Sequence, residues 1–256
     1  MRLVFLGDIV GTCGRDAVVK TVPKLREEFR LDYVVANGEN IAGGKGIMPK
    51  QADQLFDCGI DLISGGNHTF QHRDVYPYLD SMGGITRPLN YPPGAPGRGI
   101  AEAGDLTLIN LIGRTFMGYD YDDPFRAVDD ALATVPKNRF ILVDLHAEAT
   151  SEKWAMGWHL DGRVTAVVGT HTHVPTADQR VLPAGTAYCT DAGMCGARDS
   201  IIGDDIGAVL SKFLTQMPTR LPAADGPEAN INGVFIEADN VTRRATSISR
   251  VDRIVR

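Results

Sequence analysis

Short apolar runs recur along the chain, and several of them end in polar side chains. The runs are LVFL, YVVA, DLIS, FILV and TAVV, and each is followed within a few residues by carboxylate, amide or imidazole groups. A continuous apolar run of this length is typical of a strand that is buried on both faces of a sheet. Because the carboxyl ends of parallel strands meet at one edge of a sheet, the pattern predicts that these polar groups converge there.

The segments between the runs favour helices and turns. Apolar residues at spacings of three and four predict a helix from about Arg15 to Phe29, and we expect Pro23 to divide it into two pieces. A second helix is predicted to begin at Pro49, so that strand, helix and strand alternate with parallel pairing. Further along, GIAEAG and DLTLINLIG are strand-like runs joined by a Gly-Asp turn, which predicts an antiparallel hairpin.

This mixture of pairings decides the predicted fold class. About ten strands, some parallel and some linked as hairpins, are most simply accommodated in an α/β fold of two stacked mixed β-sheets flanked by helices. The strand patterns continue from one end of the chain to the other without a break in composition. We therefore expect one domain over residues 1–256.

Charge and composition limit the classes of partner. The 26 basic and 32 acidic residues include no basic cluster, which argues against a long nucleic acid and favours a small phosphorylated substrate. Neither a signal sequence nor an apolar run of membrane-spanning length is visible, so we expect a cytoplasmic protein that does not span a membrane. The four cysteines lack C-x-x-C spacing and are expected to be reduced thiols.

The first two polar groups are carboxylates. Asp8 and Glu39 each follow an apolar strand next to a glycine, where a carboxylate can approach a metal ion closely. Asp8 could equally cap the following helix. Capping explains the segment Gly38-Glu39-Asn40 less easily, because Glu39 and Asn40 interrupt the end of a buried strand.

The other polar groups are an amide and four imidazoles. Asn67 offers an oxygen ligand, while the adjacent His68 points to the opposite side and can face a substrate. His171 and His173 are two residues apart at a strand end, and both can lie on one side if the backbone remains extended. His146 ends the run FILVDLH, and taken alone it is better explained as a core histidine.

Together, these side chains are of the types that hold two divalent metal ions. Carboxylate, amide and imidazole ligands suit iron, manganese or zinc, and there is no thiolate to favour zinc alone. The Gly-rich segment from Ile41 to Ile47 lacks the spacing of a Walker loop. Its Lys45 is a candidate contact for a substrate phosphate, although a mobile turn explains the segment equally well. Of the remaining histidines, His72 could line the pocket and His159 is expected to have no functional role.

The order of these motifs resembles the calcineurin-like metallophosphoesterase superfamily. Its members carry an aspartate motif after the first strand, an acidic motif after the second, Gly-Asn-His after the third, then a lone histidine and a final pair of histidines. The resemblance implies a four-layer α/β/β/α sandwich and a metal-dependent hydrolase. Over most of its first 173 residues, the chain matches this order with Asp8, Glu39, Asn67, His68, His146, His171 and His173.

Two departures from the superfamily pattern indicate one branch. The usual Asp-x-His motif is Asp8-Ile9-Val10, so one imidazole is missing, and Glu39 replaces the usual bridging aspartate. Together with the segments GENIAGGKG and TDAGMCG, these departures resemble the YmdB-like branch. That resemblance implies a phosphodiesterase that acts on cyclic nucleotides such as 2′,3′-cyclic AMP.

We therefore expect two divalent metal ions that share Glu39 as a bridging ligand. In the predicted mechanism, a metal-bridging hydroxide attacks phosphorus and His68 protonates the leaving alkoxide. Two alternatives stay open, a metal-dependent phosphomonoesterase or nucleotidase and a metal- and nucleotide-binding regulator with negligible turnover. The base preference and the formation of homo-oligomers also stay open. We assign one ion to Asp8, Glu39, Asn40 and His173 and the other to Glu39, Asn67, His146 and His171, with the division of the last two histidines left open.

Overall fold

The computed structural model describes the whole chain, from Met1 to Arg256. The helices are α1 (Gly11–Phe29), α2 (Pro49–Asp57), α3 (Val75–Ser81), α4 (Pro124–Thr134), α5 (Thr150–His159) and α6 (Ile206–Thr215). None of them has both the length and the apolar character that crossing a membrane requires. The strands are β1 (Arg2–Leu6), β2 (Asp8–Ile9), β3 (Tyr33–Asn37), β4 (Leu62–Ser64), β5 (Ile100–Ala103), β6 (Leu106–Ile112), β7 (Phe140–His146), β8 (Ala166–Thr170), β9 (Arg180–Val181), β10 (Ala187–Cys189), β11 (Met194–Ala197), β12 (Ala229–Ala238) and β13 (Ala245–Val255).

The first sheet contains seven strands. Six follow the order β2-β11-β12-β1-β3-β4, and β13 pairs with β12. Strands β1, β3 and β4 run parallel, as the sequence predicts, whereas β12 is antiparallel to β1 and β13. The carboxyl ends of β1, β3 and β4 therefore lie at the same edge of this sheet.

The second sheet contains six strands in the order β5-β6-β7-β8-β10-β9. Its four central strands, β6, β7, β8 and β10, are parallel. Strands β5 and β6 pair antiparallel with Ala103 opposite Leu106, which confirms the predicted hairpin and its Gly-Asp turn. The parallel strands β7 and β8 place His146 opposite Thr170 at their carboxyl ends.

The two sheets stack face to face between outer helices. Phe5 and Val35 of the first sheet pack with Leu142 and Val168 of the second in a shared apolar core. The opposite face of the first sheet packs against α1 and α2, and that of the second against α4 and α5. Because each central strand is covered on both faces, its sequence is a continuous apolar run. The predicted four-layer α/β/β/α sandwich is confirmed.

Helix α1 corrects one prediction about proline. The helix continues without interruption through Pro23 and begins at Gly11, four residues earlier than expected. Pro23 lies on the exposed face, while Val18, Val22 and Leu25 are buried on the face that packs against the sheet. Proline removes one backbone hydrogen bond, but burial of apolar side chains before and after it holds both halves of the helix in line.

The structure has thirteen strands where the sequence predicts about ten, and the additional ones are short. Strands β2, β9 and β11 contain only two to four residues, too few to show a hydrophobic period. Strand β11 overlaps the segment TDAGMCG and ends one residue beyond it, at Ala197. It pairs with β2, placing Met194 opposite Asp8, so this segment supports the first carboxylate from the neighbouring strand.

Candidate metal centre

The seven predicted metal ligands meet at one edge of the sandwich. Each follows or ends a strand, and both sheets contribute, so residues far apart in sequence share a small volume. The first sheet brings the carboxylates and amides, and the second brings three imidazoles. These side chains are Asp8, Glu39, Asn40, Asn67, His146, His171 and His173.

One group of these side chains surrounds Asp8. His173 Nε2 lies 3.7 Å from Asp8 Oδ1 and 3.3 Å from Asn40 Nδ2. Asn40 Nδ2 also donates a hydrogen bond of 3.0 Å to Glu39 Oε1. Asp8, Asn40 and His173 thus lie together on the side of the cluster that Glu39 Oε1 faces.

A second group surrounds His146. Its Nε2 lies 2.8 Å from Asn67 Oδ1, 3.1 Å from His171 Nδ1 and 3.4 Å from Glu39 Oε2. Ligand atoms of Glu39, His146 and His171 lie within 4.8 Å of one another, close enough to hold one metal ion. The two oxygens of Glu39 therefore face different groups, which is the placement that a bridging carboxylate needs. The assignment of each residue as a ligand stays a prediction.

The donor set fits a cation by its chemistry and by one orphaned atom. Asp8 is fully buried, and its Oδ2 accepts a hydrogen bond of 3.1 Å from the backbone N–H of His171. Its Oδ1 has no hydrogen-bond partner. A buried carboxylate oxygen without a donor is costly unless a metal ion or another charge satisfies it. The space is also kept clear at Gly66, where an added Cβ would collide with Glu39 Oε2 and lie 2.5 Å from His146 Nε2.

Electrostatic coupling shifts the titration of these side chains. Burial opposes the charge on Glu39, but the charge on His146 and hydrogen bonds from His146 and His68 hold the pKa of Glu39 well below its usual range. Burial would lower the pKa of His146, yet the carboxylates of Glu39 and Asp8 raise it to about 9. Burial and the neighbouring His146 lower the pKa of His171 to about 3. The cluster therefore favours one positive charge close to its carboxylates.

A buried hydrogen-bond network, which the pattern of apolar runs does not predict, orients His146. The Nδ1 of His146 lies 2.9 Å from Thr170 Oγ1, and that hydroxyl donates to Asp144 Oδ1 at 2.8 Å. The other carboxylate oxygen of Asp144 accepts from Ser64 Oγ at 2.5 Å and Asn37 Nδ2 at 3.2 Å. Because Nδ1 is engaged by Thr170, Nε2 is left to face the ligand cluster. The only sequence signal was Asp144 itself, a charged residue inside an apolar run.

The loop that carries the last two histidines differs from the expected extended strand. Strand β8 ends at Thr170, and His171 and His173 both have positive φ values, 99° and 65°. The loop is held by Asp191, whose Oδ2 accepts from the backbone N–H of Thr172 at 3.2 Å and from its hydroxyl at 2.8 Å. This strained backbone directs His171 towards His146 and His173 towards Asp8, an arrangement that spacing alone could not predict.

His68 and Lys45 border the cluster from the side of Asn40. Nδ1 of His68 lies 2.8 Å from Asn40 Oδ1 and 3.1 Å from Glu39 Oε1, and 28% of the His68 side chain is exposed. Lys45 and His72 line an open groove of about 710 Å³ on this side, and His72 Nε2 lies 3.0 Å from the Lys45 carbonyl. His159 pairs instead with Asp129 near α4, away from the cluster. The catalytic role of His68 and the phosphate contact of Lys45 stay predictions.

Comparison with known proteins identifies the family. The sequence profile described as YmdB-like protein matches residues 4–251. The 2′,3′-cyclic-nucleotide 2′-phosphodiesterase of Bacillus subtilis (strain 168) is 45% identical over 256 residues, which is 98% of this chain and 96% of that protein. The crystal structure of a hypothetical protein from Thermus thermophilus superposes with a TM-score of 0.93 at 44% identity, covering 99% of each chain. That of a novel phosphatase from Mycoplasma pneumoniae gives a TM-score of 0.92 at 32% identity, covering 99% of this chain and 93% of the other. The chain belongs to the YmdB-like family.

Proposed function

We propose that the protein is a dinuclear metal-dependent phosphodiesterase that hydrolyses 2′,3′-cyclic nucleotides. The observation that carries the proposal is the convergence of two buried carboxylates, Asp8 and Glu39, with amide and imidazole groups, one oxygen of Asp8 having no donor. The substrate class is supported by the Bacillus subtilis relative, a 2′,3′-cyclic-nucleotide 2′-phosphodiesterase that aligns along nearly its whole length.

The ligand side chains would divide between two ions. Asp8, Asn40 and His173 would bind one, Asn67, His146 and His171 the other, and Glu39 would bridge them. When bound, two divalent ions supply a nucleophile from water and neutralise the phosphate oxygens. The oxygen and nitrogen donors suit iron or manganese, with zinc as the alternative. Asp144 and Thr170 would act through His146, because they hold its ring so that Nε2 faces the cluster.

His68 would supply the proton that the leaving group needs. Opening the cyclic phosphate at the 2′ oxygen breaks a P–O bond and leaves an alkoxide that must gain a proton. An imidazolium at His68 would donate from Nδ1 to Glu39 Oε1. Its Nε2–H would then be free to protonate the leaving oxygen. Lys45, which lines the groove beside His72, would contact the substrate phosphate. The cytoplasmic location of the protein stays a prediction.

The experiment combines metal analysis with hydrolysis assays. We expect about two metal ions per chain, and hydrolysis of bis-p-nitrophenyl phosphate and 2′,3′-cyclic AMP that is lost on chelation. His68→Ala should lower kcat on the order of a hundredfold while metal content is retained, because the substitution removes a general acid. His159→Ala is the matched control, since this histidine is distant from the cluster, and it should leave both measurements unchanged.

Other outcomes separate the alternatives. Loss of metal in His68→Ala would show that His68 is a ligand. Preference for 2′-AMP or 3′-AMP over the cyclic substrate would indicate a phosphomonoesterase, in line with the Mycoplasma pneumoniae phosphatase. Metal without turnover of any of these substrates would support the regulator. A protein that binds no metal would refute the proposal.

A further inference from the structure

Aromatic side chains surround a cleft of about 390 Å³ that opens beside the ligand cluster. We call it the aromatic cleft and define it by Phe70, Tyr91, Tyr119 and Tyr121. Asn67 also lines it, and Asn67 Oδ1 lies 2.8 Å from His146 Nε2. One residue therefore belongs to both the cleft and the cluster, so a molecule bound at the cluster can extend into the cleft.

The rings form a connected wall. Tyr91 packs edge-on against Phe70, with ring centroids 5.1 Å apart, and its ring centroid lies 4.9 Å from that of Tyr121. Tyr119 continues the series at 5.9 Å from Tyr121 but remains 72% exposed. An exposed ring at the end of such a wall leaves a π-face on which a planar ligand can stack.

The segment that carries the two outer tyrosines is held at both of its ends. Buried Asn90 donates from Nδ2 to the carbonyls of Ile112 and Asp122, each at 2.8 Å. Its Oδ1 accepts from the backbone N–H of Ile112 at 2.9 Å. This clamp fixes the start and end of the loop, and Tyr119 projects from the loop between them. Because both ends of the loop are fixed, placing the Tyr119 ring against a ligand costs less entropy than in a loop without such anchors.

The groove on the other side of the cluster has a different chemistry. Lys45, Lys212 and Arg220 line it together with Asp204 and Asp225, and no Phe, Tyr or Trp does. Such a wall suits phosphate groups and water. The aromatic cleft has no lysine or arginine; four of its eight lining residues are aromatic, and Asp120 is its one charged residue. Of these two spaces, only the cleft is lined by a predicted ligand, Asn67, and only the cleft offers tyrosine and phenylalanine rings to a flat heterocycle.

We infer that the aromatic cleft binds the nucleobase of the substrate, with Tyr119 as the stacking platform and Asn67 at the boundary with the phosphate site. The inference rests on the proposed function, because it supplies the base-binding part of a site for 2′,3′-cyclic nucleotides. Tyr119 is a positioning residue for binding, and the phosphorus chemistry does not need it. Stacking tolerates every base, so the cleft favours cyclic nucleotides over base-free cyclic phosphates.

The test compares two cyclic phosphates that share the five-membered ring. One is 2′,3′-cyclic AMP, and the other is glycerol 1,2-cyclic phosphate, which has no base. For Tyr119→Ala we expect KM for the nucleotide to rise about five- to a hundredfold, the range that base stacking supplies, with kcat near that of the wild type. Its KM and kcat for the glycerol ester should not change. Tyr119→Phe keeps the ring and should match the wild type on both substrates.

Phe116→Ala is the matched control. Phe116 is an exposed aromatic residue of the same loop that does not line the cleft, so its loss should change neither substrate. If Tyr119→Ala impaired both substrates equally, the loop would be structural and the inference would fail. It would also fail if the wild type had the same kcat/KM for both cyclic phosphates.

A binding measurement separates this inference from the proposed function. Adenosine, titrated into chelator-treated protein in a calorimeter, should bind to the wild type and at least fivefold more weakly to Tyr119→Ala. Adenosine binding without hydrolysis of cyclic phosphates would overturn the proposed activity and keep the base site. Hydrolysis without a difference in adenosine binding between the two proteins would overturn the base site and keep the activity.

Discussion

Two buried aspartates support adjacent residues of the same loop but differ in how their charge is compensated. Asp191 receives the ammonium of Lys153 at 2.7 Å, and this lysine is itself 1% exposed. The Oδ1 of Asp191 also accepts a hydrogen bond of 2.8 Å from the backbone N–H of Gly193. Asp8 accepts only the N–H of His171, and the nearest histidine nitrogens lie 3.7 and 3.8 Å from its Oδ1. Asp191 has a cation from its own chain, whereas Asp8 has no lysine or arginine beside it.

The difference distinguishes an aspartate that supports the backbone from one that can still bind a ligand. A carboxylate that is neutralised by its own lysine and has donors on both oxygens has no capacity left for a ligand. A carboxylate that is buried to the same degree with one oxygen free retains that capacity. On this basis Asp191 holds the histidine loop in position, and Asp8 is available to a metal ion.

Removal of the internal cation should have the largest effect on stability. Lys153→Met leaves Asp191 buried without its counter-ion, and we expect a loss of about 3–5 kcal/mol in the free energy of unfolding. Denaturant titration measures this loss. Lys24→Met is the matched control, because Lys24 is exposed on α1, and it should stay within about 0.5 kcal/mol of the wild type. A Lys153→Met protein as stable as the wild type would remove the basis of the comparison.

The sequence could predict that the candidate ligands converge, but not which residues hold them in place. Asp8, Glu39 and Asn67 follow strands whose apolar runs are continuous, so their convergence follows from parallel pairing. Lys153 has no such signal, because a lysine in a short helix is normally solvent-exposed. Its burial depends on the contact between α5 and the loop after β10, which is a tertiary arrangement.

The aromatic cleft was equally beyond prediction from sequence. Tyr119 and Tyr121 lie in an irregular loop, where no period indicates which way a side chain points. Tyr121 packs against Tyr91, and the ends of the loop that carries Tyr121 are held by the buried Asn90, whose role is visible only through its hydrogen bonds. The polar residues at strand ends follow a local pattern that the sequence shows, whereas the side chains that line the cleft are positioned by contacts between distant parts of the chain.

A third buried aspartate, Asp144, sharpens the comparison with an intermediate effect. It has no lysine but receives hydroxyl and amide donors, and through Thr170 it orients His146. Thr170→Val removes that connection while keeping the side-chain shape. We expect metal affinity or kcat to fall about 10- to 100-fold, and metal content after competition with a chelator measures the first of these.

Thr165→Val provides the matched control for this substitution. Thr165 is also buried and makes two hydrogen bonds, to Ile141 N and the Arg243 carbonyl, but it lies just before β8, at the opposite end from His146. Thr165→Val should lower the free energy of unfolding about as much as Thr170→Val does and leave metal affinity unchanged. Equal losses of metal affinity in both variants would mean that Thr170 acts only through stability.

The smallest effect should come from Asp8 itself, when metal is absent. In chelator-treated protein, Asp8→Asn removes a charge that no donor on Oδ1 stabilises, and the new amide oxygen can still accept from the His171 N–H. We therefore expect its free energy of unfolding to change by less than about 1 kcal/mol, whereas Asp191→Asn leaves Lys153 unpaired and should cost about 3–5 kcal/mol. With excess manganese, the difference in unfolding free energy between the wild type and Asp8→Asn should grow, because the wild type gains stability from metal binding and Asp8→Asn gains less of it. If Asp8→Asn destabilised the metal-free protein as much as Asp191→Asn, both aspartates would be structural, and an unpartnered buried oxygen would not mark a ligand in this fold.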